Sequence, residues 1–145
     1  MYTSYRSILF LLLSICISYS AASLVQAAEN ENLHVQLNNL QKSTAGCRLS
    51  FVMKNDMQPD IDELSFEIVL FDLNSKVSRI LTLKTGALPH KKTRVKRFDI
   101  RNSQCTDISR ILINSIQTCK GNELSPPVCL KALTTSTLTK TKFGI

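Results

Sequence analysis

Glycine and proline occur only four times each in 145 residues, and histidine twice. No G-x-S-x-G, H-E-x-x-H, P-loop or C-x-x-C motif is present, so the common hydrolase, metalloprotease, NTPase and thiol-redox signatures are all missing. No stripe of apolar residues at a 3.6-residue period persists long enough for a long helix. The longest apolar run, Ile8 to Ile17, is about ten residues, well under the ~20 needed to cross a bilayer. These absences point away from a motif-bearing enzyme, a helical bundle and a membrane-spanning chain.

The short apolar run does have the makings of a secretory leader. Arg6 supplies a positive start, Ile8 to Ile17 the apolar stretch, and Val25-Gln26-Ala27 the small-x-small pattern for cleavage before Ala28. Residues 1–27 are therefore expected to be a signal peptide and residues 28–145 a single domain. A retained anchor is disfavoured by the shortness of the run. A lipoprotein site at Cys16 is disfavoured by the bulk of Ile15. The formal charge is +7, of which the leader removes only Arg6. Such a surplus implies solubility and attraction to anionic surfaces without identifying a partner.

Four cysteines follow the leader: Cys47, Cys105, Cys119 and Cys129. None are spaced as a structural zinc site requires, and only His34 and His90 could supplement them. In an exported chain they are expected to form two disulfides, with three connectivities open.

Alternation chooses among these. Cys47, Leu49, Phe51 and Met53 share one face of a strand over Cys47–Lys54. Leu64, Phe66, Ile68 and Leu70 share one face of another, over Leu64–Phe71. Val69 and Phe71 make the second face of that strand partly apolar, as a central strand requires. Asp72 to Lys76 reads as a hairpin turn, with a return strand over Val77–Lys84 whose inward residues are Leu81 and Leu83. Further strands are expected over His34–Leu40, Thr93–Ile100, Ile108–Gln117 and, Thr-rich, Cys129–Thr141. As a strand, Ile108–Gln117 holds Cys105 and Cys119 about 40 Å apart, far beyond disulfide reach. If successive strands run antiparallel, Cys47 and Cys105 fall at one end of the stack and Cys119 and Cys129 at the other. The expected bridges are Cys47–Cys105 and Cys119–Cys129, in an all-β antiparallel sandwich of about seven strands.

Two resemblances bear on fold and origin. The stretch Phe66-Glu67-Ile68-Val69-Leu70-Phe71-Asp72, followed by Gly86-Ala87-Leu88-Pro89-His90-Lys91-Lys92-Thr93-Arg94-Val95, looks like the middle of Ig-like or fibronectin-like exported bacterial domains. Cys47 to Val52, "IDELSFEIVLFD", "GALPHKKTRVKRFDI" and "ISRILIN" ahead of Cys119 resemble a family of small, uncharacterised exported alphaproteobacterial proteins over about residues 37–131. The resemblance implies an Ig-like fold and a periplasmic or secreted location. It implies no activity and no cofactor.

The residues offer few sites. His34 and His90 each sit in a polar stretch and read as surface residues. Asp60, Asp62 and Glu63 lack the glycine and spacing of a calcium loop and read as turn residues before a strand. The distinctive feature is the run Lys91, Lys92, Arg94, Lys96 and Arg97. On a regular strand Phe98 and Ile100 would share a face with Arg94 and Lys96, so a bulge near Lys96 or a late strand start is expected. The run suggests a patch for an anionic partner: anionic lipid, lipopolysaccharide or an acidic protein. Charges on an edge strand also deter aggregation, which gives the same run a purely protective use. Nucleic acid is not expected, because no aromatic in the run could stack on bases. The expectation is a non-catalytic binding module of the periplasm or cell surface, with a cell-envelope enzyme or enzyme inhibitor of unseen motif as the alternative.

Overall fold

Residues whose apolar side chains alternate become strands here because each must bury one row and leave the other wet. A computed structural model describes residues 31–145. The expected leader, residues 1–27, lies outside the described residues. Eight strands form: β1 (Leu33–Ser43), β2 (Gly46–Asn55), β3 (Glu63–Phe71), β4 (Val77–Lys84), β5 (Thr93–Arg101), β6 (Arg110–Lys120), β7 (Leu133–Thr137) and β8 (Lys142–Gly144). A 3₁₀ turn (Cys105–Asp107) precedes β6, and one short helix, α1 (Pro126–Ala132), follows it. The strands make two four-stranded sheets, in the orders β5-β2-β1-β7 and β4-β3-β6-β8.

The core lies between the sheets. Cys47, Leu49, Phe51 and Met53 of β2 are buried, as are Leu64, Phe66, Ile68 and Leu70 of β3. β3 is central, between β4 and β6, which accounts for its apolar second face. The turn after it closes through Asp72, whose Oδ1 accepts from the backbone N–H groups of Asn74 (2.8 Å) and Lys76 (2.9 Å).

Both bridges form between the cysteines that strand parity pairs. Cys47–Cys105 has its Cα atoms 5.0 Å apart and Cys119–Cys129 has them 6.5 Å apart. The first ties β2 of one sheet to the turn that launches β6 of the other. The second pins α1 to β6.

Three expectations need correction. The front strand runs from Leu33 to Ser43, beyond His34–Leu40, because a bulge between Leu37 and Asn39 resets its alternation and lets Leu40 pack inward. The strand expected over Cys129–Thr141 is instead the end of a helix, one short strand, β7, and a crossing that leads on to β8. Pro126 occupies the first helical position, where its missing N–H costs nothing, and the Cys129 N–H bonds back to Ser125 O at 3.0 Å. The sandwich is also not wholly antiparallel: β7 pairs with β1, and β8 with β6, in parallel. Between them the chain crosses from one sheet to the other through Leu138–Thr141. There the buried Thr141 hydroxyl donates to Ile108 O at 3.1 Å.

At the end of β2, Asn55 is fully buried. Its Nδ2 donates to Pro59 O (2.9 Å) and Leu88 O (3.0 Å), and its Oδ1 accepts from Met57 N (3.0 Å). Its backbone N–H donates to Lys92 O, and its carbonyl accepts from Lys91 N. One side chain thus binds two loops, 56–60 and 86–92, and sets where β5 begins.

Asn55→Ala should cost about 2 kcal/mol in urea denaturation, since it leaves buried backbone groups unpaired. Asn55→Asp should cost more, because it sets an acceptor oxygen against two carbonyls. The Cys47–Cys105 bridge spans 58 residues and the Cys119–Cys129 bridge 10. Replacing each pair by serine should therefore destabilise by about 4 and about 3 kcal/mol respectively, measured in the same way.

Candidate anionic-partner site

β4 and β5 are each the outermost strand on one edge of their sheets, and contacts between them place the two edges on the same flank of the sandwich. Arg79 of β4 reaches across, its Nη1 donating to Arg101 O of β5 at 2.7 Å. Further along, Lys96 Nζ lies beside Gly86, 4.0 Å from where a Cβ there would stand.

The register of β5 against β2 is unbroken from Thr93 opposite Lys54 to Arg101 opposite Gly46. No bulge or late start separates the cations from Phe98 and Ile100, which corrects the expectation. One inward-facing row runs Arg94, Lys96, Phe98, Ile100. It lies opposite Met53, Phe51, Leu49 and Cys47. An inward position on an outer strand is not a closed one. Ile100 is buried at one end and Phe98 packs edge-on against Phe51 at 6.2 Å, while Lys96 is half-exposed and Arg94 exposed. Their long stems let the charges reach water past the rim of the core.

The five cations of the sequence run therefore separate. Arg94 and Lys96 point into the gap between the sheets. Arg97 lies on the outer face opposite Ser50, and Lys92 is exposed where the strand begins. Lys91 belongs to the preceding turn, with φ +56°, and its Nζ lies 3.7 Å from Asp56 Oδ1, which also takes Lys54 Nζ at 2.9 Å. Topology adds three cations that the sequence run did not contain: Arg79 and Lys84 on β4, and Arg101 on β5. Arg79 could have been placed from the alternation that turned Leu81 and Leu83 inward. That it shares a flank with Lys96 could not. The only acid on the two strands is Asp99, held by Arg48 through a two-pronged pair at 2.8 and 2.9 Å. Arg94, Lys96 and Arg97 make no ion pair with a described residue.

The remaining candidates do not converge. His34 bonds Thr134 Oγ1 (3.1 Å) and Ser136 Oγ (3.0 Å) on the outer face. His90 contacts Met57 O through its ring, and its backbone N–H donates to Asp60 Oδ1 at 2.7 Å. Glu63 pairs with Lys120 at 2.7 Å, and Asp62 is exposed. Among the described residues no three metal-ligating side chains gather. A groove of about 590 Å³ beside the Cys47–Cys105 bridge is lined by Lys42, Thr44, Asn102, Gln104 and their neighbours, without a carboxylate or histidine. Among the described residues no helix is long and apolar enough to cross a membrane. In comparisons with known proteins, the chain matches no family model, no curated sequence and no solved structure.

Three carboxyls are held below their ordinary values: Asp56 by its hydrogen bond to Lys54, Glu63 by its bond to Lys120, and Asp99 by its bond to Arg48. A depressed carboxylate stabilises the folded state above its unfolded pKa, and that contribution disappears as pH falls through the folded value. The melting temperature should therefore stay level between about pH 7 and 5 and fall on acidification below about pH 4. Asp99→Asn should lessen that fall, as read by calorimetry across the pH series.

Proposed function

We propose that this chain is an exported, non-catalytic binding module that engages an anionic component of the cell envelope through its β4/β5 flank. In this reading residues 1–27 are a cleaved leader and the mature domain is an Ig-like sandwich of the periplasm or cell exterior. Two disulfides in a domain of this size fit an oxidising compartment. The observation that carries the reading is the charge of the flank. Arg79, Arg94, Lys96, Arg97 and Arg101 stand against one acid on the two strands, Asp99, which is already occupied by Arg48, while Lys84 lies close enough to Glu63 of β3 to help hold its carboxyl low. Cations gathered along one flank in excess of the acids beside them attract a polyanion and steer its approach, at a strength that salt screens.

The test uses polyglutamate and phosphatidylglycerol vesicles as anionic probes at low salt. Changing Lys92, Arg94 and Lys96 together to Glu should weaken binding by about tenfold or more. Changing Lys42, Lys131 and Lys140 to Glu alters net charge equally, away from the flank, and should have a much smaller effect. Equal losses in the two variants would mean that net charge alone attracts the probes, and the reading would fall.

A further inference from the structure

The two outer strands of the flank differ in what they leave unpaired. Thr85 N–H bonds Leu64 O at 2.9 Å. By alternation the backbone of Thr85, Leu83, Leu81 and Arg79 turns toward β3. That of Ile80, Thr82 and Lys84 turns away, toward a side on which no described strand pairs. On β5, Asn55 N–H to Lys92 O and Asn102 N–H to Ala45 O fix the opposite parity: Thr93, Val95, Arg97 and Asp99 face outward. Yet β5 carries the inward cations Arg94 and Lys96, a device that discourages a strand from pairing there, and its Arg101 carbonyl is already taken by Arg79. β4 carries no charge at Ile80, Leu81, Thr82 or Leu83.

β4 also borders an apolar strip on the outer face of its sheet. Ile80, Val69 and Leu112 are cross-strand partners in one row. Val69 is buried at the centre of that row, and Ile80 is 58% exposed at its open end. In the next row lie Val77, 56% exposed, and Phe71, beneath the Arg110 guanidinium at 5.3 Å.

We propose that the β4 edge receives an extended segment of a partner protein in which acidic and apolar residues alternate, joined by main-chain hydrogen bonds. The proposal rests on the reading of the flank as anion-binding, and it names the form the anion takes. A strand added beside β4 sends alternate side chains to opposite faces. Its outer row meets Ile80 and the apolar strip. Its inner row stands beside Arg79, which reaches Arg101 of β5, and runs toward Lys96, whose Nζ lies beside Gly86 just past the end of β4. Inner positions recur every second residue on the added strand, so acids there fall along the line from Arg79 to Lys96. Acids toward its two ends therefore meet these two cations. Lys96, which helps to close β5 to pairing, is for a strand on β4 a complementary charge.

The probe is an acetylated, amidated octapeptide of alternating glutamate and valine, titrated into the isotope-labelled protein. It should bind at least about tenfold more tightly than a peptide of four glutamates followed by four valines, and it should shift the amide resonances of Ile80, Thr82 and Lys84. Methylating the backbone nitrogens of all the valines, or of all the glutamates, removes the donors of one strand side only. One of these two peptides should lose binding and the other keep it. Thr82→Pro deletes an outward N–H on an outer strand, where proline is tolerated. It should lose the alternating peptide and still bind polyglutamate. If that variant does not fold, the methylated peptides decide alone. Equal binding of the alternating and block peptides overturns edge pairing while leaving the anion-binding flank intact. Equal loss, or no loss, from the two methylated peptides also overturns edge pairing. Failure of every peptide and of polyglutamate overturns both.

Discussion

The Cys47–Cys105 bridge joins β2, in one sheet, to the turn that launches β6, in the other. Strands β2 and β6 each lie inside their sheets, so fixing one against the other fixes the face-to-face stacking of both. Every outer strand then takes its place from an inner neighbour: β5 from β2, and β4 from β3, which is itself paired with β6. The separation of cations on the flank is set in this way. Had β2 slipped by one residue against β5, Arg94 and Lys96 would face solvent and Val95 and Arg97 the gap.

The two flanks of the sandwich resolve the same difficulty differently. A sheet margin offers unpaired backbone groups to any passing strand. On one flank β7 and β8 cover β1 and β6, and the threonine-rich crossing between them satisfies its polar groups internally. The other flank has no such cover among the described residues. One margin, β5, is guarded by charges turned inward. The other, β4, is left with neutral residues and an apolar strip at its side. Asn55 matters here because it anchors the loops leading into β5 and keeps the cationic row in register with the core.

Much of this fold was legible in the sequence because burial on one face imposes strict alternation. β2, β3 and the turn at Asp72 follow that rule, and the cysteine pairing follows from counting strand reversals. Where alternation is interrupted or displaced the sequence misled. The bulge around Asn38 hid the length of β1. α1 was hidden by its brevity, since seven residues beginning with two prolines show no helical period. For β5, placing Lys96 on the parity of Phe98 suggested an irregularity, because inward was equated with buried. On an outer strand the two separate, and the register is regular. The membership of the flank was illegible for a different reason. Nothing local to Arg79 or Arg101 tells that their strands, in different sheets, lie side by side. Nothing in the sequence around Asn55 marks it out, although its fully buried side chain makes three hydrogen bonds to two loops.

The parallel pairing of β7 and β8 has a consequence for folding. Among the described strands these come last in chain order, and they cover β1, the first, and β6, which precedes them. Until residues 133–144 dock, both sheets have bare margins on both flanks. The Cys119–Cys129 bridge holds the helix that leads into those residues against β6. Residues 133–144 thus act as a zipper on this flank, and a folding intermediate in which they had not docked would be sticky along both β1 and β6.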